Sequence, residues 1–420
     1  MADKIYTVAI IGIGGRGGDT YGSLMMTMPE KFKIVALCDF KPDRLEAFGE
    51  RFGVSKENLF TDEKVFFAKK RADVLIVATP DADHIRHATY AFNLGYDVMM
   101  EKPITDKKDE MEALLKLQKE KGCKALVCHV LRYAPAFVKV AELLKSGVIG
   151  DLVAIQALER VAYWHQAHSY VRGNWRREED STPMILAKCC HDLDLLQFYA
   201  GSKCESVSSV GELRYFKKEN APEGSTDRCT TCPHSDACAY SAKRIYVERW
   251  KERGSPEDLW PYNILTLAPV TEEKLTKAIE EGPYGRCVFA CDNNVVDHQI
   301  TQMSFENGVK ATLTMTAFTA GSGRRIDFFG TLGEICLEEQ EEGIFLGIYG
   351  QPAQRVSVDL SSDKGYGHGG GDYHLVNDLY EILEGRASQE TSLERSAESH
   401  LIGIAAEESR KNGGKLIKIR

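Results

Sequence analysis

Two groups of residues in this sequence have types and spacings that could do chemistry. The first is Gly12-x-Gly14-x-x-Gly17, entered by the apolar run Val8-Ala9-Ile10-Ile11. It is followed, 22 residues after Gly17, by Asp39 at the end of the run Ile34-Val35-Ala36-Leu37-Cys38. Glycine at 12 permits a tight turn, at 14 it lets a pyrophosphate approach the backbone, and at 17 it lets the next helix pack on the strand. The first turn of that helix, through Gly15 and Arg16, offers free N–H groups and a positive dipole end to phosphates. Asp39 would accept hydrogen bonds from the adenine-side ribose and repel a 2′-phosphate, which points to NAD ahead of NADP.

The second group is Cys229-x-x-Cys232-Pro233-His234 with Cys238, followed by Cys287 and Cys291. Thiols this close in a polar segment of a cytosolic protein point to a metal. The first reading is a structural zinc ion on Cys229, Cys232, Cys238 and a fourth ligand from Cys287, Cys291 or His234, with Cys287 preferred. Closed binding would then substitute for a core that the segment lacks. An iron–sulfur cluster on four thiolates and a set of reduced thiols are the alternatives.

These residues must be positioned by an α/β fold. Strand and helix signals alternate from residue 5 to about 130, as a parallel sheet with crossover helices requires. Ala72 to Pro80 reads as a buried strand ending in the turn Thr79-Pro80, and the helix Asp83 to Leu94 carries His84. Asp97 to Pro103 is another strand, with Glu101 and Lys102 at its end. Asp106 to Lys121 is a charged helix, and Ala125 to Val130 closes the unit. Ligands of doubly wound sheets bind beyond the carboxyl ends of the strands, so these strand ends face one crevice. After Gly150 the pattern changes to alternating strands (Leu152–Glu159, Gln299–Phe305, Lys310–Phe318), indicating a mixed or antiparallel sheet, with a helix over Met184–Tyr199 before most of them. Residues 216–290 read as a polar insertion, and helices over Tyr373–Arg386 and Leu393–Lys411 pack back on the molecule. The division is 1–130 and 131–420.

At 420 residues, 43% hydrophobic and 27% charged, the chain describes an ordinary globular protein of two or three domains. A net charge of −9 argues against a nucleic-acid surface. No apolar stretch approaches the ~18 residues needed to span a bilayer, and Met1-Ala2-Asp3-Lys4 runs directly into the first strand. The expected location is the cytoplasm. Six of the twelve cysteines (Cys38, Cys123, Cys128, Cys189, Cys190, Cys336) lie in apolar or helical stretches and read as core.

In order and spacing, the Gly12–Gly17 fingerprint, Ala78-Thr79-Pro80 with His84, Glu101-Lys102-Pro103, His129…Arg132-Tyr133…Pro135, His191-Asp192-Leu193-Asp194 and Gly330-Thr331-Leu332-Gly333-Glu334 together resemble the glucose–fructose oxidoreductase/inositol dehydrogenase (Gfo/Idh/MocA) family. The resemblance covers nearly the whole length. It implies a Rossmann domain followed by an α+β domain with an open-faced, mostly antiparallel mixed sheet, and an active site between them. It also implies association through that open face, as a homodimer or homotetramer, and NAD-dependent oxidation or reduction of a secondary alcohol of a sugar, sugar acid or cyclitol.

Such a reaction needs a hydride acceptor, a base for the hydroxyl proton and a group that holds alkoxide character. The resemblance assigns Lys102 to substrate binding and proton transfer, and His191 to acid/base work. It departs at Ala187, where many members carry an Asp. Lys188 instead stands three residues before His191, on the same face of the expected helix. There it would hold His191 neutral or bind an anionic substrate group. Asp192 and Asp194 are orienters of His191 or surface acids.

Tyr163, Trp164, Trp175, Arg172 and Arg176 would line the crevice, the aromatics stacking on a sugar and the arginines forking onto a carboxylate or phosphate. The same residues would equally make a stabilising aromatic–arginine cluster. The loop Gly367-His368-Gly369-Gly370-Gly371-Asp372 resembles substrate loops of relatives that process glycosides, although Asp372 could simply cap the helix after it. Those relatives supply the alternative activity: a redox-neutral glycoside hydrolase or lyase that uses tightly held NAD through a transient keto-sugar and elimination.

Overall fold

The computed structural model describes residues 4–341, 343–358, 367–387 and 390–420. Six parallel strands form the first sheet: β1 (Tyr6–Ile11), β2 (Phe32–Cys38), β3 (Leu59–Phe60), β4 (Val74–Val77), β5 (Asp97–Met100) and β6 (Ala125–Val127), in the order β3-β2-β1-β4-β5-β6. Val-, Ile- and Leu-rich runs suit strands covered on both faces, and all four residues of β4 are buried. The order reverses between β1 and β4, so a crevice opens beyond their carboxyl ends.

The second sheet contains β7 (Leu152–Arg160), β8 (Cys204–Glu212), β9 (His298–Phe305), β10 (Lys310–Thr316), β11 (Gly323–Gly330), β12 (Gly333–Glu338), β13 (Gly343–Ile348), β14 (Gln354–Val356) and β15 (Ile417–Lys418). Its order is β14-β13-β12-β11-β7-β10-β9-β8-β15, and among the described pairs only β7 with β10 is parallel. One face packs Met303, Leu313, Phe328 and Ile335 against Leu193 and Leu196 of the helix Cys190–Ala200. The other is open, with Val153, Val210 and Ile300 left 53%, 51% and 44% exposed.

The C-terminal helices pack back on both domains. Gly371–Leu383 buries Leu375, Val376 and Leu379 in the core that contains Val8 and Ile10 of β1. Leu393–Lys411 puts Leu393 and Ala397 against the first sheet, and Ile402, Ala405 and Ala406 into the core of the second domain. One continuous helix therefore fixes the two domains relative to each other.

Two expectations change. The helix expected over Met184–Tyr199 is two helices, Met184–Ala187 and Cys190–Ala200, with Lys188 and Cys189 between them. The insertion between β8 and β9 does have a core: Phe216, Tyr246, Trp250, Tyr262, Leu275, Ile279, Val288 and Phe289 are buried together. Its polar composition concealed these apolar residues because they are scattered over short helical segments.

Candidate active site

β1 ends in a turn that only glycine can make. Gly12 has φ +87°, and a Cβ there would stand 2.5 Å from the Ala78 carbonyl oxygen. A Cβ on Gly17 would stand 2.0 Å from the Gly12 carbonyl oxygen, whereas one on Gly14 would meet nothing closer than Arg44 Nη1 at 3.5 Å. The loop is thus closed on the strand side and open at Gly14, towards the cleft, where the helical segment Gly15–Gly22 begins with unpaired N–H groups. Asp39 accepts from the Ile13 N–H at 2.7 Å and the Lys41 N–H at 3.0 Å, so it braces the glycine turn from the end of β2. A carboxylate has about four acceptor positions, which leaves room for ribose hydroxyls.

The other strand ends are tied to one another. His84 places its two ring nitrogens 2.8 and 2.6 Å from the carbonyls of Thr79 and Pro103, bridging the turns after β4 and β5. Thr79 Oγ1 pairs with His87 Nδ1 at 3.0 Å. Asp81, just past Pro80, accepts from the Trp175 indole N–H at 3.1 Å and the Thr182 hydroxyl at 3.0 Å, a clasp between the domains.

Between the domains lies a cleft of about 1770 Å³, lined by the Gly14–Arg16 loop, Asp39, Thr79, Lys102, His191 and His368 among others. Lys102 Nζ donates to the Ala187 carbonyl at 2.9 Å, from one domain to the other. His191 sits edge-to-face with His129, centroids 6.1 Å apart, and 6.0 Å from the ring of His368. Burial, and then the neighbouring Lys102 ammonium, push the His191 pKa well below the ordinary histidine value, so its imidazole is neutral with Nδ1 unpartnered. Beneath them Arg16 donates to Glu101 at 2.6 Å and to Asp372 at 2.6 Å, and the Tyr21 hydroxyl donates to Glu101 at 2.6 Å. Burial alone would raise the Glu101 pKa, but Arg16 and Lys102 outweigh it and hold it below the usual carboxylate range. Asp372 in turn accepts from His368 Nδ1 at 2.9 Å and fixes that ring at the cleft wall.

The sequence of this site and its two-domain setting have known counterparts. Residues 6–129 match the model of the oxidoreductase family, NAD-binding Rossmann fold, and residues 141–419 match that of the oxidoreductase family, C-terminal alpha/beta domain. The chain belongs to the Gfo/Idh/MocA oxidoreductase family. It is an NAD-binding oxidoreductase. It is 23% identical over 379 residues to the putative oxidoreductase YteT of Bacillus subtilis, covering 85% of this chain and 84% of that one. It is 25% identical over 208 residues to 2,7-anhydro-N-acetylneuraminate hydratase of Mediterraneibacter gnavus, covering 50% of this chain and 53% of that one. Its fold superposes on a levoglucosan dehydrogenase solved with NADH and levoglucosan, with TM-score 0.71 and 16% identity, covering 99% of this chain and 100% of that one.

Within this member of the family, several residues stand elsewhere than the sequence implied. Lys188 leaves the helix that carries His191 and ion-pairs with Glu159 at 2.8 Å, at the end of β7. Asp192 turns away from the cleft onto Arg324 at 2.8 Å, and Arg324 also reaches Glu159 at 3.1 Å, so these four charges form one buried set. Asp194 is held by Arg132 at 2.7 Å rather than by His191.

Tyr163 packs against Tyr240, and Trp164 is buried in the insertion's core beneath the guanidinium of Arg249. His165 and His168, two short steps further on, line the cleft instead, against Trp260 and Tyr284. Arg172 and Arg176 do line the cleft, but Arg172 is buried with its Nε on the Arg286 carbonyl and Arg176 is ion-paired with Asp292 at 3.0 Å. Trp175 lines it with them, its N–H committed to Asp81.

Three further facts were not legible beforehand. Arg16 lines the cleft but commits its guanidinium to Glu101 and Asp372. The insertion forms a cover: Trp260, Ile264, Pro283 and Tyr284 line the same cleft, and Ile264 Cδ1 stands 3.6 Å from where a Gly15 Cβ would be. The third concerns metals. The one trio of ligand-type atoms within 4.8 Å of one another, among the described residues, is His129, Cys190 and His400. His400 already uses both nitrogens, on the Ser396 carbonyl at 2.7 Å and the Ile104 N–H at 2.8 Å, so it has no lone pair left to complete that trio. No three cysteines of the insertion are that close, which does not fit the single zinc ion first expected of them.

Proposed function

We propose that this chain transfers hydride between nicotinamide and a secondary hydroxyl or ketone of a sugar, sugar acid or cyclitol. The observation that carries the reading is the meeting of Lys102 and a neutral His191 in one cleft with the glycine turn. NAD, held by Gly12, Gly14, Gly17 and Asp39, supplies the hydride acceptor when bound. A neutral imidazole is the form that can take a hydroxyl proton, and the Lys102 ammonium favours alkoxide character on the same oxygen. His368, 39% exposed at its side chain and backed by Asp372, offers the proton a way from His191 to solvent. Lys188 gives the cleft wall a second ammonium, suited to a carboxylate once Glu159 shares it with Arg324.

A second reading is supported by the cover over the glycine loop. A cofactor lying under Trp260 and Ile264 would leave slowly, which suits an enzyme that oxidises and re-reduces one substrate without exchanging NAD. In that cycle the transient ketone acidifies the neighbouring carbon, a leaving group is eliminated, and the ring is reduced again. The insertion, on the same view, is a metal-fastened cover, and copies of the chain associate through the open face that exposes Val153, Val210 and Ile300.

The test is a panel of free sugars, sugar acids, cyclitols and aryl glycosides, followed by absorbance and product chromatography together. Reduced nicotinamide accumulating with added NAD supports net oxidation. Aglycone or water-addition product without net NADH supports the internal cycle, and no product from any member overturns both.

A further inference from the structure

The cleft chemistry leaves the cysteines of the insertion unused, and the fold brings four of them together. An isolated antiparallel pairing of Arg228 with Arg286 joins the two ends of the insertion. It is flanked by hydrogen bonds from the Cys229 N–H to the Gly285 carbonyl (2.9 Å) and from the Cys287 N–H to the Asp227 carbonyl (2.8 Å). Cys229 and Cys287 each follow the paired residue on their strand, so their side chains emerge on one face. Tight turns closed by Cys232 N–H on the Cys229 carbonyl and by Cys238 N–H on the His234 carbonyl return the other two thiols. The thiols of Cys238 and Cys287 each have both Cys229 and Cys232 as charge neighbours.

Backbone donors point at two of these sulfurs. The Tyr240 N–H bonds the Cys238 sulfur and the Phe289 N–H bonds the Cys287 sulfur. Arg172 is 1% exposed, yet its bonds are to the carbonyls of Arg286 and Tyr240 and to Cys229 Sγ at 3.5 Å, with no carboxylate. Its Nη1 is buried without a partner. A buried guanidinium needs an anion, and a four-thiolate centre with net negative charge supplies one. The remaining candidates are committed elsewhere: Cys291 donates to the Cys287 carbonyl at 3.3 Å, and half-buried His234 sits 2.7 Å from the Glu223 carbonyl.

Spacing then selects the centre. Zinc–sulfur bonds of ~2.3 Å put four sulfurs about 3.8 Å apart, but no three of these thiols lie within 4.8 Å of one another. An iron–sulfur cube holds its irons on an inorganic core and spreads the four thiolates more widely. We propose that Cys229, Cys232, Cys238 and Cys287 bind a [4Fe–4S] cluster with Arg172 as its charge partner. The cluster ties the two ends of the insertion together, and with them the cover formed by Trp260, Ile264 and Tyr284. Closing so long a loop stabilises the fold by restricting the unfolded chain.

The experiment is iron, acid-labile sulfide and zinc analysis of the whole protein purified without oxygen, with electron paramagnetic resonance after reduction. The expected result is about four irons and four sulfides per chain. One zinc without sulfide, or thiols with neither, overturns the proposal independently of any activity. Cys232→Ser and Cys238→Ser should lose most of the iron, whereas Cys291→Ser and His234→Ala should keep it. Iron kept by Cys287→Ser and lost by Cys291→Ser would overturn the ligand set. Arg172→Gln should lower the cluster's reduction potential, because a neighbouring cation favours the more negative, reduced state, and an unmoved potential would remove Arg172 from the proposal.

Discussion

Lys102 Nζ donates to the Ala187 carbonyl at 2.9 Å, so the strand end of the nucleotide domain is held directly by the turn that leads into His191. The bond fixes the lysine where its charge also depresses the His191 pKa. Lys102→Ala should reduce turnover by roughly two to four orders of magnitude, while NAD affinity changes only a few-fold. Lys102→Arg keeps the cation but cannot shuttle a proton, and should recover substrate binding more than turnover. Single-turnover rates and NAD titration of both variants check this. Normal turnover in Lys102→Ala would remove the residue from the chemistry.

Arg16 separates two buried carboxylates, Glu101 and Asp372, which it bonds at 2.6 Å each. Arg16→Met should destabilise the fold by about 3–5 kcal/mol at neutral pH, because both buried carboxylates lose their shared guanidinium, Glu101 keeping only Tyr21 and its own strand end and Asp372 only His368. In the native chain both acids have lowered pKa values, so the stability they contribute is present above the ordinary carboxylate value and is lost as pH falls. The gap between native protein and variant should therefore narrow on acidification. Denaturant melts at several pH values test this, and a gap that does not change with pH would contradict it.

Acid should also act through the buried histidines. Burial pushes His168 and His400 down to about 3, and His129, His165 and His191 shift the same way. The unfolded chain takes up protons near the ordinary histidine value of 6.5 while the native chain does not. Stability is thus fully present above pH 6.5 and is lost below it, at up to about 1.4 kcal/mol per pH unit for each group. Asp19 and Asp192, raised to about 6 with burial as the first cause, work in the opposite sense, as do Asp106 and Asp378, but these four acids stand against the five histidines and His87, which burial also lowers. The melting temperature should fall between pH 7 and pH 5, and a flat or rising profile would count against buried neutral histidines.

How far the sequence revealed this depends on the range of the interaction. Gly12, Gly17 and Asp39 act on neighbours within one strand–turn–helix unit, and their local pattern specified both the turn and its brace. Lys102 was legible from its place at a strand end, whereas His191 came from the family resemblance, because a lone histidine on a helix reads as core; both line the cleft. Lys188 was misplaced because its partner, Glu159, comes from another element, and that ion pair accompanies a break in the helix that no periodicity marked. Arg16 reads as a phosphate contact from its position in the loop, but its partner Asp372 lies 356 residues away. Trp164 and His165 are adjacent, and only the packing of the insertion decides that the tryptophan is core and the histidine faces the cleft.

Lys188 should matter to charged substrates more than to neutral ones. Lys188→Met should lower kcat/KM for sugar acids about tenfold, worth about 1.4 kcal/mol, and change neutral sugars little. Kinetics on a matched pair, one sugar and its acid, decide the matter; equal losses on both would mean that Lys188 only supports Glu159.

Asp39→Ala should weaken NAD binding, because the Ile13 N–H loses its 2.7 Å acceptor, and should raise NADP affinity relative to NAD. Titration with both nucleotides checks it. An unchanged ratio would show that discrimination lies elsewhere, with Arg44 beside Gly14 the next residue to replace.

The most direct test of the central claim is single-turnover transfer of deuterium from a carbohydrate labelled at its secondary carbinol carbons to NAD held by the protein. The account predicts label on the nicotinamide ring, retained if oxidation is net and returned to the carbohydrate if the cycle is internal, with none in Lys102→Ala. Product formed from the carbohydrate with no label passing through nicotinamide at any time would contradict it.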